Sequence, residues 1–377
     1  MASGTPIANP RVLIDPYEDW ADAEPVPVIE GYGVDLLDVE TRPWPRYGMD
    51  GAIIHLKARA DFTTLFLYKI PGGGSSAPLR HLYEQLVYVL DGHGSTQIEG
   101  PDGTMRTFEW GPKSLFALPL NARYRLFNGS GDAPAVLACC NYLPLVYNLF
   151  MSEDLIFNCD NGFPERLGPD GYFEGDGQEY TLDRGPTLWE TNFVADMAGF
   201  ELKPQDDRGP GSTSIQFLLG NGVMKAHCSA MPVGTYKKAH RHGPDFFIFN
   251  VTGSGYSLMW YPDDEEMVRI DWRHGVVFAP PDMMYHQHFN TSPEWARYLA
   301  MNLGNRRFPF TGERKKQAAA LGVSVKDGGR QIEYEDQDPR IHKIYLDELA
   351  KHGAPCHMSK FMDEQMLLDK MGATAEV

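Results

Sequence analysis

The chain has 377 residues, of which 42% are hydrophobic, and a formal net charge of −17. That length accommodates two domains with sizeable cores, and the composition is globular rather than disordered. The acidic balance disfavours nucleic acid and anionic membrane as partners, because both need a basic face; the run Arg314-Lys315-Lys316 reads as a solvated helix face.

Along the chain, residues 1–50 are Pro-rich and read as an arm that packs against a neighbour or against the first barrel. Short runs rich in Val, Phe, Tyr and Leu, punctuated by Gly and Pro, make 51–150 a first strand-rich domain. Residues 151–210 carry more Asp, Gly and Glu and read as a connecting region. Strand patterns resume over 211–305. The remainder, 306–377, turns helical: Gly312 to Leu321, Arg340 to Lys351 (started by Asp338-Pro339 and stopped by Gly353) and a Met-rich segment from Met358 to Met371. No apolar segment is long enough to span a membrane. Met1-Ala2-Ser3-Gly4 lacks the pattern of a secretion signal, and the five cysteines suggest no disulfide framework. A cytoplasmic location follows as an expectation.

The two strand-rich blocks repeat. Glu109-Trp110 matches Asp271-Trp272, Phe116-Ala117-Leu118-Pro119 matches Phe278-Ala279-Pro280-Pro281, and Phe127-Asn128 matches Phe289-Asn290, each 162 residues apart. Gly92-His93-Gly94 matches Gly253-Ser254-Gly255 at 161. A near-constant offset over four matches means two related β-domains in tandem.

The second copy carries a metal-ligand pattern. Side chains alternate along a strand, so His240 and His242 project to one side and Arg241 to the other. His286, after the Pro280-Pro281 turn, supplies a third imidazole. By the offset, the first copy has Leu79, His81 and Tyr124 at these positions and Gln85 in place of Phe246. One histidine of three survives, with Glu84 and Tyr124 as its potential co-ligands; that domain reads as structural or as an interface partner.

These positions resemble the cupin family. Gly234, His240, His242 and Gly253 match its first motif, and Gly275, Pro281, His286 and Asn290 its second. Phe246 replaces the usual glutamate ligand, and Met283 replaces the usual turn glycine. The resemblance implies an all-β fold of two tandem cupin (double-stranded β-helix, jelly-roll) barrels with a helical C-terminal extension. Three neutral donors leave open coordination positions and suit a dianionic, chelating substrate. Asp245 lies adjacent but faces away on a regular strand.

Among cupins, the second half looks most like the gentisate and salicylate 1,2-dioxygenases, bicupin iron(II) enzymes that cleave aromatic rings. His240-Arg241-His242, Phe246, Phe249 and Gly253 follow their first motif, and Tyr285-His286-Gln287-His288 with Asn290 follows their second. The chain departs from them in placing the complete site in the C-terminal barrel, and in having Ile248 where they carry an arginine. The resemblance implies iron(II), with manganese, nickel or zinc as alternatives, on His240, His242 and His286. It implies a hydroxybenzoate-like or enol/diketone substrate, dioxygen as co-substrate, and a homo-oligomer, dimer or tetramer. His288 and Tyr285 would handle oxygen or the phenol proton. By alternation Ile248 and Asn250 share the face of His242, and Met284 precedes His286 by two, so these and Phe246 are the candidate pocket residues. Arg297 and Arg269 are both carboxylate partners in prospect, whereas His227 and Cys228 read as core or surface. The cluster of His352, Cys356 and His357 has poor metal spacing. Two other readings stay open: a non-redox metal-dependent lyase, isomerase or decarboxylase, and a non-catalytic small-molecule-binding cupin.

Overall fold

The computed structural model describes residues 15–59, 62–182, 186–209, 211–243, 246–308 and 322–374. Strands dominate and form two jelly-roll barrels, each a large sheet facing a three-stranded one. In the first barrel, Gly94–Glu99 is the middle of the small sheet, between Arg123–Asn128 and Met105–Trp110. In the second, Gly255–Trp260 has the same place between Tyr285–Asn290 and Val268–Trp272.

The repeat is visible bond by bond. The isolated bridges Ser75–Phe127 and Leu79–Tyr124 recur as Tyr236–Phe289 and His240–His286. Asn128 donates its amide to the carbonyls of Ile70, Pro71 and Ala133; Asn290 does the same to Met231, Pro232 and Glu294. The Trp110 indole donates to Thr96 Oγ1 at 3.0 Å, and the Trp272 indole to Ser257 Oγ at 3.1 Å.

Local sequence explains the hairpins. Between Thr213–Leu219 and Met224–Met231 the chain reverses at Gly220 and Asn221, with φ of 64° and 42°. Glycine and asparagine tolerate this left-handed region best. In Met224–Met231, Met224, Ala226 and Cys228 are buried in the core cluster that also holds the first barrel's core, while Lys225, His227 and Ser229 alternate with them.

The segments flanking the barrels are woven into the sheets. Val28–Gly31 pairs in parallel with Met49–Leu56 of the first barrel, whereas Gly33–Asp35 crosses over and pairs with Val276–Phe278 of the second. Residues 151–210 do more than connect. Leu188–Thr191 adds to the second barrel's sheet and Phe193–Val194 to the first. Glu84 ties the barrels together by accepting from the amides of Val223 and Met224 at 2.8 and 3.1 Å.

The C-terminal extension covers the outside of the second barrel. Its helix Pro339–His352 is capped by the Asp338 carboxylate, which accepts from Arg340 N, and ends at Gly353 with φ 63°. Tyr334, Ile341, Tyr345 and Leu349 pack on Tyr236, Tyr256, Tyr285 and Phe289. Burial of each such large side chain contributes about 1.5–3 kcal/mol. Gly234 is needed at the join: its φ is 67°, and a Cβ there would meet Pro355 O at 2.2 Å. The expected helix Gly312 to Leu321 lies outside the described residues, as do Arg314-Lys315-Lys316 and Asp245. Among the described residues no helix is long and apolar enough to cross a membrane.

Candidate metal centre

His240 and His242 come from an extended segment that belongs to no full ladder. His240 is bridged backbone to backbone with His286 (N to O 3.1 and 2.9 Å), and His242 O accepts from Met283 N at 2.9 Å. Met283, with φ 57°, does the work of the turn glycine it replaces. Arg241 turns outward, its guanidinium 4.6 Å from the centre of the Tyr285 ring.

The structure brings His240, His242 and His286 together, with one ligand-type atom of each within 4.8 Å of the others. Every one of these rings is oriented by its Nδ1, which sits against a backbone carbonyl: Lys238 O at 3.2 Å, Gly243 O at 2.8 Å and Met284 O at 3.1 Å. A carbonyl only accepts, so each Nδ1 carries the proton and each Nε2 a lone pair. This is the tautomer a divalent ion requires, held by the supporting contacts that metal-binding histidines use. Burial pushes the His286 imidazole down to about 4 and holds those of His240 and His242 well below the ordinary value, so all three are neutral at physiological pH. The residues therefore fit a divalent cation.

His288 sits one step deeper, its ring centre 5.6 Å from that of His286 and 4.9 Å from Tyr298. Its Nδ1 pairs with Ser257 Oγ at 2.8 Å, the hydroxyl that also receives the Trp272 indole. The first barrel has the same Trp–hydroxyl pair but Leu126 at the offset of His288. The imidazole is thus added to a scaffold that folds without it. Burial, then His286 and Lys237, depress its pKa well below the usual range.

Among the expected pocket residues, Phe246 lies against the triad, 4.3 Å from the His242 ring centre. Ile248 and Met284 join Trp272, Phe278 and Tyr298 in the apolar interior of the barrel. Two assignments are corrected. Asn250 spends its amide on Thr252 O and Gly253 O, closing a turn. Tyr285 alternates with His286 and faces outward, stacked on Trp260 under the extension. Nor do the two arginines serve the site: Arg297 donates to Met197 O and Phe200 O, and Arg269 pairs with Asp271 and Glu348.

Three cations that sequence reasoning passed over surround the histidines. Arg208, from the connecting region, places Nη1 3.3 Å from His240 Nε2. Lys237, 3% exposed, donates to Ser229 Oγ at 2.5 Å and to Tyr298 Oη at 3.2 Å. Lys225 lies over the Phe246 ring. His227 also turns inward, its ring centre 6.2 Å from Phe246 and 6.1 Å from Tyr298. The Lys225, His227, Ser229 alternation was a readable signal, since polar residues on an inward face need a reason. Arg208 had none, lying far from the motif in a loop.

In the first barrel, His81 is fully committed: Nδ1 meets Tyr83 O at 2.7 Å and Nε2 meets Tyr124 Oη at 2.9 Å. With Glu84 engaged by the second barrel, no ligand set assembles there among the described residues.

No family model matches the sequence, and no curated protein matches it. Solved structures do. The chain is similar to a Bacillus subtilis oxalate decarboxylase mutant at 12% identity and TM-score 0.48, covering 81% of this chain and 88% of that one. It is also similar to the same organism's enzyme as studied for its Mn(II) centres, at 13% identity and TM-score 0.48, covering 79% and 86%. Likeness at this level does not carry activity across. The expectation of a ring-cleaving dioxygenase is nonetheless corrected. Tyr285, half of the pair assigned to oxygen handling, is turned away from the site and stacked on Trp260.

Proposed function

We propose that the protein is a non-redox, metal-dependent lyase or isomerase acting on a small, multiply anionic oxyacid, decarboxylation being the foremost reaction. The observation that carries this reading is the charge around the triad. Among the described residues, Arg208 and Lys237 are the cations that, with burial and the neighbouring imidazoles, keep these rings neutral, and no carboxylate stands among the leading causes. A neutral donor set amid surplus positive charge, among buried side chains, favours a ligand with two negative groups.

His240, His242 and His286 would hold the ion; zinc and nickel suit imidazole donors, and manganese suits a site completed by substrate oxygens. When bound, the ion acts as a Lewis acid on the substrate oxygen. Arg208 and Lys237 would bind the remaining anionic oxygens, the guanidinium being suited to a bidentate grip. His288 is neutral and fixed by Ser257, which leaves its Nε2 to give or take a proton. Phe246 and the Trp272, Phe278 and Tyr298 cluster limit water.

The test is to load full-length protein separately with zinc, nickel and manganese, and to screen di- and keto-acids under nitrogen for substrate loss and carbon dioxide release. Turnover without oxygen, abolished together with bound metal in His286→Ala, supports the reading. Metal content unchanged by His286→Ala, or turnover that requires oxygen, sinks it.

A further inference from the structure

The C-terminal extension contains a second group of ligand-type side chains, on the outer side of the sheet whose inner side carries His286 and His288. His342 lies on the helix Pro339–His352, Cys356 in the loop after it, and Glu364 at the start of the helix Glu364–Thr374. One ligand-type atom from each lies within 4.8 Å of the others. Cys356 Sγ donates to Glu364 Oε1 at 3.3 Å, and His342 Nε2 is 4.0 Å from Glu364 Oε2, beyond hydrogen-bonding reach.

The second observation is His342 itself. Its side chain is 0% exposed, yet Nε2 has no hydrogen-bond partner. Buried polar atoms without a partner are rare and ask for a reason. The other nitrogen is accounted for: Nδ1 is 3.2 Å from Tyr236 Oη. That hydroxyl also accepts from Gln337 Nε2 at 2.6 Å and lies 3.5 Å from Met362 Sδ. In the tautomer that carries the proton on Nδ1, His342 donates to Tyr236 Oη and its Nε2 lone pair is aimed at the thiol and the carboxylate. The ring is oriented by its other nitrogen, as in the histidine triad.

We propose that His342, Cys356 and Glu364 form a second metal site, for a zinc-class divalent ion, separate from the triad. Imidazole, thiolate and carboxylate are the three donors such an ion takes, and three protein ligands leave one position for water. Binding replaces the Cys356 proton, which leaves to solvent, so affinity falls as pH falls. The ion would pin both C-terminal helices and the intervening loop to one another, and through Tyr236 to the barrel.

Cobalt(II) tests this on the full-length chain, because a cobalt–thiolate charge-transfer band reports a sulfur ligand and the triad has none. The band should appear in chelator-stripped wild type loaded with cobalt, persist in His286→Ala, disappear in Cys356→Ser, and be displaced by zinc. Absence of the band in wild type, or its survival in Cys356→Ser, overturns the proposal. Should Cys356→Ser fail to fold, Glu364→Gln replaces it. Its zinc affinity should fall by more than the roughly 10–100-fold that a merely supporting residue is worth, with unchanged circular dichroism; an unchanged affinity overturns the site equally.

Discussion

His81 offers the sharpest quantitative test of how the first barrel lost its site. It is 2% exposed, and burial lowers its pKa to about 4. In the unfolded chain the value returns to about 6.5. Between about pH 4 and 6.5 the unfolded chain therefore holds a proton that the folded chain does not, and stability falls as pH falls through that window. At about 1.4 kcal/mol per unit, the shift is worth about 3 kcal/mol in full, of which about 2 kcal/mol is lost between pH 7 and pH 5. Urea unfolding of metal-free wild type and His81→Gln at these two pH values isolates the term, because the other buried histidines, including His55 with its pKa near 4, cancel in the difference. The variant should be less stable at pH 7 and should lose about 2 kcal/mol less on acidification. Equal losses in the two proteins would refute the picture of a neutral imidazole locked between Tyr83 O and Tyr124 Oη, and with it the claim that this barrel's ligand position is closed.

Arg208→Met should retain bound metal but weaken a small dianion by ten- to about a hundredfold in calorimetry, the worth of a charge-assisted hydrogen bond of about 1.5–3 kcal/mol. Ser257→Ala should leave metal content intact while lowering turnover and shifting its pH profile, since His288 loses the partner of its Nδ1. Glu84→Ala strands the amides of Val223 and Met224 at the join between the barrels. It should cost about 3–5 kcal/mol in chemical unfolding.

The repeat and the triad were legible because both are written in local spacing. The 161–162 offset reappears as paired bridges, and His240, His242 and His286 meet. Alternation failed where its premise failed. Extended from His242, it sets Phe246 and Ile248 inward as found, but Asn250 lies at the bulge where the register shifts before Thr252, and its amide serves a turn. Tyr285 was misplaced although alternation, applied from His286, sets it outward. Arg208 was beyond reach, because its approach to His240 depends on how a 60-residue connecting region folds back. His342, Cys356 and Glu364 were likewise invisible: they meet only through helix packing, and the adjacent Cys356-His357 pair drew the eye instead, whereas His357 Nδ1 is spent on Val233 O.

The crossing of Gly33–Asp35 to Val276–Phe278 bears on how the chain is made. The edge strand Gly33–Asp35 is made about 240 residues before its partner Val276–Phe278, so this pairing closes a very long loop and comes late. Until then the second barrel presents an unfinished sheet edge at Val276–Phe278, open to the wrong neighbour. Neither barrel is then an independent folding unit. A gene cut ahead of Leu188 would give two fragments, each lacking a strand that the other encodes: Gly33–Asp35 for the second barrel and Phe193–Val194 for the first.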